Sequence, residues 1–314
     1  MKVLFVGLGS IGKRHLKILK EMEKDFNIIA LRSNNKAKKI DGVKNYFNLE
    51  EALEEKPDIA FITNPTSLHI EYAVECAKAG CHLFIEKPLS HNLKGIKELI
   101  NIVENNNLIT LMGCNMRFNP VIRKLKEEIA KLKKDNIYSY KINCGSHLPD
   151  WRPGRDYKKT YSAKKEMGGG VLLDLIHEID YSNWLFGEVN ELKAYSDHLT
   201  DLEIETEDIA EILLKHEKYI LGNIHLDYYR INATRTIEII AQDLLIEADL
   251  IEGKLDINYK NKKISYEFDF NRNFMYEKQI EYFLESIKIN KKTFNDIKNG
   301  YRVLKIALKA KEED

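Results

Sequence analysis

The chain has 314 residues, 44% of them apolar, which is enough for two domains each with its own core. Lys plus Arg balance Asp plus Glu at 49 each, so no net field exists to draw in nucleic acid or an anionic membrane. A charged fraction of 31% with only 6 Pro argues against disorder, and no run approaches the about 18 apolar residues of a membrane span. A soluble cytoplasmic protein is expected, since the apolar run Val3 to Val6 is too short for a signal-peptide core.

The first 115 residues alternate short apolar runs with amphipathic stretches, the signature of βαβ units around a parallel sheet. Lys2 to Val6, Asn27 to Leu31, Asp58 to Thr63, His82 to Ile85 and Leu108 to Gly113 read as strands. Ile11 to Lys24, Leu49 to Glu55, Ser67 to Ala79 and Leu93 to Asn105 read as the intervening helices. A helix from about Pro120 to Lys134 follows. The pattern then changes to the alternation of Ile137 to Cys144, a helix over Gly170 to Phe186, and a series of strands. Those strands are Glu191 to Asp197, Ile209 to Lys215, Tyr219 to Asp227, Thr234 to Ala241, Leu244 to Asp249, Leu255 to Tyr259 and Lys263 to Phe268. Short turns between consecutive strands predict an open, mainly antiparallel sheet. Helices near Met275 to Lys288 and Phe294 to Lys309 end the chain. The fold class is α/β: a doubly wound Rossmann domain over 1–118 and an α/β domain over 119–314, with the last helix a candidate to pack back on the first domain.

The four cysteines, Cys76, Cys81, Cys114 and Cys144, lack CxxC spacing, so buried thiols are expected and no metal site. Gly7-Leu8-Gly9-Ser10-Ile11-Gly12 follows a strand and opens a helix. In that context the first glycine makes a tight turn, the second admits a pyrophosphate, and the third lets helix pack on strand. The amides of Ser10, Ile11 and Gly12 then face the phosphates. At the end of the second strand, where an NAD site usually carries an acid for the ribose, stand Arg32 and Ser33. A guanidinium there, with Ser33 and Lys36 as further donors, favours NADP over NAD. The alternative is an exposed basic turn with NAD bound all the same.

These motifs resemble the Gfo/Idh/MocA oxidoreductases over essentially the whole length. The markers are the glycine loop, Thr63-Asn64-Pro65 with His69, Glu86-Lys87-Pro88, Asn115-Met116-Arg117-Phe118, and Gly168-Gly169-Gly170 leading to Asp174, His177 and Asp180. The resemblance implies hydride transfer at a sugar, polyol or nucleotide-linked sugar carbon in a cleft between the two domains. It also implies open sheets packed together in a homodimer or homotetramer. Thr63, Asn64, Pro65, His69, Glu86 and Asn115 would border the cofactor, His69 being equally readable as a helix-start surface group. Lys87, at the carboxyl end of a parallel strand, matches the catalytic lysine. An ammonium there hydrogen-bonds the reacting hydroxyl or polarises the carbonyl in reverse.

His177 is the candidate acid or base, since an imidazole exchanges protons near neutrality. Asp174 stands three residues before it and Asp180 three after, which on one helix puts them on one face. The family pattern spaces this Asp and His by four, and here they stand three apart. Arg117 is expected to touch sugar or nicotinamide. The loop His147 to Lys165 holds Trp151, Arg152, Arg155, Tyr157, Lys158, Lys159, Tyr161, Lys164 and Lys165. Trp151 and Arg152 resemble a pair that lies over the cofactor in some relatives. Arg155, Tyr157 and the basic residues beyond suit a carboxylate or diphosphate on a sugar, or equally a subunit contact. Two other functions of the same family stand as alternatives: a regulator that binds NAD(P) without turnover, and a lyase or glycosidase using NAD transiently.

Overall fold

A computed structural model of the chain describes residues 1–22, 25–34, 39–132 and 136–312. The predicted helix ends Lys24 and Lys134 fall outside the described residues, as does Lys36. The chain divides into two compact units, residues 1–114 with 273–302 and residues 115–272 with 303–314.

In the first unit the order is β1 (Lys2–Val6), α1 (Ser10–Glu21), β2 (Asn27–Leu31), β3 (Val43–Tyr46), α2 (Leu49–Glu54), β4 (Ile59–Ile62), α3 (His69–Lys78), β5 (His82–Ile85), α4 (Ile96–Asn105) and β6 (Thr110–Met112). Among the described residues these strands form one parallel sheet of six, ordered β3-β2-β1-β4-β5-β6. Helices cover both faces of such a sheet, so β1 beyond Lys2 and all of β4 are apolar and buried. Phe5, Phe61 and Phe84 stack across β1, β4 and β5 with centroids 4.9 and 4.8 Å apart. Phe283, from a later helix of this unit, meets Phe61 and Phe84 edge-on, and Ile280 and Leu284 join the same core. Strand β3 is an addition to the sequence reading. Its residues Val-Lys-Asn-Tyr sit at the sheet edge and are no more than half buried, so they carry no apolar run to announce a strand.

The second unit contains α5 (Pro120–Lys131), β7 (Ile137–Gly145), α6 (Val171–Asp174), α7 (Ile176–Phe186), β8 (Val189–Asp197), β9 (Ile209–His216), β10 (Leu221–Asp227), β11 (Thr234–Ala241), β12 (Leu244–Asp249), β13 (Lys254–Tyr259) and β14 (Lys262–Glu267). Two helices close the chain, α8 (Arg272–Lys288) and α9 (Ile297–Glu312). Among the described residues the strands make a sheet of eight, ordered β14-β13-β12-β11-β7-β10-β9-β8. It is antiparallel except where β7 and β10 run parallel, so the sheet is mixed and mostly antiparallel. One face is apolar and buried, with Tyr140 stacked on Phe186 of α7 at 4.0 Å. The other face exposes Tyr195, Leu213, Leu221 and Ile240 among charged neighbours.

The predicted single helix over Gly170 to Phe186 is interrupted at Leu175, whose φ and ψ of −96° and 29° leave the helical region. Asp174 and His177 therefore stand on different helices and not on one continuous helical face. No helix among the described residues is long and apolar enough to cross a membrane.

Candidate functional site

The first unit supplies a phosphate cradle. Gly7 has φ +87°, and a Cβ there would lie 2.9 Å from Asn64 Cα, so only glycine serves. A Cβ on Gly12 would lie 2.6 Å from the Gly7 carbonyl oxygen and 2.7 Å from Thr63 Oγ1. Thr63 pins the loop from beneath, its hydroxyl donating to the Gly7 carbonyl at 2.6 Å. At Gly9 a Cβ would meet nothing within 4 Å, so room is left above the loop. Helix α1 starts just there with no side-chain cap and no acid in its first turn, so the amides of Ser10, Ile11 and Gly12 carry the positive end of the helix dipole. Both side-chain amide atoms of Asn64 are buried without a partner among the described residues. Open space, uncapped amides and an unsatisfied amide side chain together fit a dinucleotide.

At the end of β2 the Arg32 guanidinium reaches Asn45 Oδ1 at 3.4 Å, and Ser33 is exposed. Pro65 is exposed at the start of a short turn over residues 66–68. His69 is not a surface group. It is buried, with Nδ1 2.9 Å from the Pro88 carbonyl oxygen and Nε2 3.0 Å from that of Asn64. Burial pushes its pKa down, against the pull of those carbonyls, so the ring is neutral and has one N–H for two acceptors.

Lys87 follows β5 and is half-buried, and its peptide bond to Pro88 is cis. The Glu86 carboxylate beside it points into the protein. Its Oε1 lies 2.6 Å from His15 Nε2, and its Oε2 accepts from the Lys87 backbone N–H at 3.2 Å. Both carboxylate oxygens of Glu86 thus face partners inside the protein. His15 escapes the motif reading altogether. The available signal is its spacing three residues after Gly12 on the face shared by Leu16 and Leu19, a core position where a polar ring needs a partner.

In the second unit, Asn115 and Arg117 lie in a buried turn over residues 115–118. Arg117 does not reach outward. Its Nε and Nη2 each donate to Asp180 at 2.8 Å, both side chains are 1% exposed, and the guanidinium stacks 5.3 Å from the Trp184 ring. Asp174, at the end of α6, accepts from the Tyr228 hydroxyl at 2.6 Å, and the buried Tyr161 lies beside it. Burial holds both phenols well above their ordinary pKa, so each remains a donor. Trp151 meets Tyr228 edge-on at 5.2 Å and donates to Ser146 Oγ at 2.8 Å, while Arg152 stacks on Tyr161 at 5.1 Å. Trp151, Arg152, Tyr161, Asp174 and Tyr228 therefore form one cluster. His177 is half-buried in the first turn of α7. Tyr228 is also absent from the sequence reading, although it continues the inward parity of Ile224 and Leu226 at the end of β10.

The basic loop divides in two. Lys158 and Lys164 are paired with Glu203 and Glu205, Lys159 reaches Asp156 at 3.4 Å, and Tyr157 Oη accepts from the Glu203 N–H at 3.3 Å. Arg155 is exposed. The paired lysines lace the loop to residues 203–205 and are not arrayed for an anion.

Residues 1–114 match GFO/IDH/MocA, an oxidoreductase family with an NAD-binding Rossmann fold, and residues 122–244 match the GFO/IDH/MocA C-terminal domain. Myo-inositol 2-dehydrogenase of Thermotoga maritima is 30% identical over 236 residues, which is 71% of this chain and 67% of that protein. Levoglucosan dehydrogenase of Pseudarthrobacter phenanthrenivorans is 29% identical over 157 residues, 49% of this chain and 40% of that one. Among solved structures, a levoglucosan dehydrogenase in complex with NADH and levoglucosan superposes with TM-score 0.86 at 16% identity, covering 100% of this chain and 98% of the other. UDP-N-acetylglucosamine 3-dehydrogenase from Acidithiobacillus ferrooxidans gives TM-score 0.82 at 21% identity, covering 99% and 96%. At these identities the two structures speak to the fold.

Proposed function

The chain belongs to the GFO/IDH/MocA family of NAD(P)-binding oxidoreductases, and we propose that it transfers a hydride to or from a CH–OH carbon of a sugar, a polyol or a nucleotide-linked sugar. The observation that carries this reading is the cradle of Gly7, Gly9 and Gly12, with its open space at Gly9 and the unsatisfied Asn64 amide. Relatives acting on myo-inositol and levoglucosan support a polyol or sugar as the substrate class.

Bound nicotinamide supplies the hydride acceptor or donor. The first-turn amides of α1 hold the pyrophosphate, and Thr63, through the Gly7 carbonyl, keeps the loop in shape for it. The Asn64 amide binds at the ribose or nicotinamide. Lys87 donates from its ammonium to the reacting oxygen, stabilising negative charge as the C–H bond breaks or polarising the carbonyl in reverse. His177 exchanges the hydroxyl proton. Asp174, held by Tyr228, accepts from a second sugar hydroxyl and fixes the ring. Arg117 acts through Asp180 as a support for the turn that carries Asn115. Trp151 and Arg152 present a ring and a cation for a sugar or cofactor to stack on. Arg155 and Tyr157 remain the residues of the basic loop assigned to an acidic substituent.

Arg32 favours a 2′-phosphate, hence NADP, with Asn45 holding the guanidinium. Fluorescence titration gives tighter binding of NADP+ than NAD+, and Arg32→Asp reverses the order; equal affinities for both in the native chain overturn this preference. The exposed apolar residues on the outer face of the eight-stranded sheet support a homodimer or homotetramer built through that face.

The deciding experiment is turnover with NAD+ and NADP+ against a panel of inositols, free sugars and UDP-sugars. Reduced nicotinamide appears with at least one member, and Lys87→Met abolishes it. Cofactor binding with no reduction across the panel points instead to a regulator. Consumption of a sugar with no net change in nicotinamide points to a lyase or glycosidase.

A further inference from the structure

We propose that His15 and His69 are positioning residues for Lys87, one gripping the residue before it and the other the residue after it. The proposal rests on the reading of Lys87 as the group that meets the reacting oxygen.

Both histidines are buried and come from different helices, His15 from α1 and His69 from α3. His15 is boxed by Phe61, Phe84 and Tyr276, whose ring centroids lie 4.9 to 5.8 Å away. Its Nδ1 has no partner among the described residues, so the polar chemistry of the ring is directed through Nε2 to Glu86 Oε1 at 2.6 Å. The other oxygen of that carboxylate accepts the Lys87 N–H at 3.2 Å. Imidazole, carboxylate and backbone amide thus form one chain that ends on Lys87.

On the far side the Pro88 carbonyl lies 2.9 Å from His69 Nδ1, and His69 Nε2 reaches the Asn64 carbonyl at 3.0 Å. With one N–H for two carbonyls, the neutral ring donates to one of them; donated to Pro88, it holds the turn that carries Lys87. Packing alone gives a weak reason for His15, since an aromatic ring would fill the same box, but such a ring would leave the buried Glu86 Oε1 without its partner. Holding the Glu86 carboxylate, and with it the Lys87 backbone, gives a strong one. Helix α1 begins in the phosphate cradle, so the element that receives the dinucleotide also sets the position of the lysine.

Three variants test this: His15→Phe keeps the packing and removes the donor, His15→Gln restores an N–H at the reach of Nε2, and Glu86→Gln keeps the shape of the acceptor. With the sugar found by the panel, His15→Phe lowers kcat by about 10- to 100-fold while KM and the dinucleotide Kd stay within about three-fold, and His15→Gln regains most of the loss. In parallel, acylation of Lys87 by acetic anhydride, read by mass spectrometry in the dinucleotide-bound protein, changes relative to the other lysines in His15→Phe and returns in His15→Gln. Native kcat and native Lys87 labelling in His15→Phe overturn the proposal. So does a loss that His15→Gln fails to repair, which would leave packing as the role. If the native chain turns over no sugar, the oxidoreductase reading fails separately, and Lys87 labelling alone decides. Should His15→Phe not fold, Glu86→Gln carries the same comparison, and unchanged labelling there overturns the proposal.

Discussion

The Tyr228 hydroxyl donates to Asp174 Oδ2 at 2.6 Å, joining the residue just past a sheet strand to the end of a short helix. Because burial keeps the phenol protonated far above neutrality, the donor is present at every working pH. Tyr228→Phe removes the hydroxyl and leaves the ring edge-on to Trp151. A hydrogen bond to a charged group contributes about 1.5 to 3 kcal/mol, and the urea midpoint should fall accordingly. If Asp174 orients the sugar, kcat falls as well, while the dinucleotide Kd stays within about three-fold. An unchanged kcat removes Asp174 from the reaction.

Arg117 and Asp180 form a two-toothed pair with both side chains 1% exposed. Removing one member of such a pair strands a buried charge and costs about 3 to 5 kcal/mol, whereas replacing both by apolar groups is often neutral. Arg117→Met is therefore expected to be severely destabilised in denaturant melts, and Arg117→Met with Asp180→Leu to recover most of the loss. Equal destabilisation of the single and double variants would show that the guanidinium has other essential partners.

Much of this molecule was legible before its structure because its strands differ in burial. β1, β4 and β5 are covered on both faces and read as unbroken apolar runs, and β9, β10 and β11 are covered on one face and alternate. β3 was not legible, because an edge strand of mixed residues has neither signature. The break at Leu175 was hidden by apolar residues that continue the helical pattern through it. At the candidate site, the glycine loop is marked by local spacing, and Lys87 only by its motif Glu86-Lys87-Pro88 and the family resemblance. The partners of Arg117 and Glu86 lie 63 and 71 residues away, so local spacing cannot tell a ligand-facing charge from one paired inside. His15 and Tyr228 carry only the weaker signal of a polar group at a core-facing position.

Burial pushes His69, His82, His91 and His216 below the usual imidazole range. Below about pH 6.5 the unfolded chain takes up protons that these folded rings resist, so stability rises with pH through that window and is lost as pH falls. His225 runs the other way. Hydrogen bonding to Asp227 raises it, so its contribution is present below about pH 6.5 and is lost as pH rises through the folded value. His216 offers the clean case, with Nε2 2.7 Å from the Tyr140 hydroxyl and Nδ1 2.8 Å from the Gly187 carbonyl, one accepting and the other donating as a neutral ring requires. Thermal midpoints should fall from pH 7.5 to 5.5, and His216→Asn should flatten the fall. Nitrogen-15 shifts showing His216 protonated at pH 6.5 would contradict the assignment.

Gly9 and Gly12 stand three residues apart in the same loop but face different neighbours. An alanine Cβ at Gly12 would press on the Gly7 carbonyl and Thr63 Oγ1, at 2.6 and 2.7 Å, so the loop or the helix must shift. Overpacking of this kind costs about 1 to 3 kcal/mol. An alanine Cβ at Gly9 touches no atom of the chain within 4 Å, so its fold should be indifferent, within about 0.5 kcal/mol. The space it enters is the space assigned to the pyrophosphate, and a methyl group there keeps the phosphates from the first-turn amides. Gly9→Ala should therefore melt with the native chain and bind the dinucleotide at least about ten-fold more weakly, a loss near 1.4 kcal/mol. Gly12→Ala should lose stability and binding together. Were Gly9→Ala to bind like the native chain, the phosphates would have to lie elsewhere, and the cradle would be only a turn.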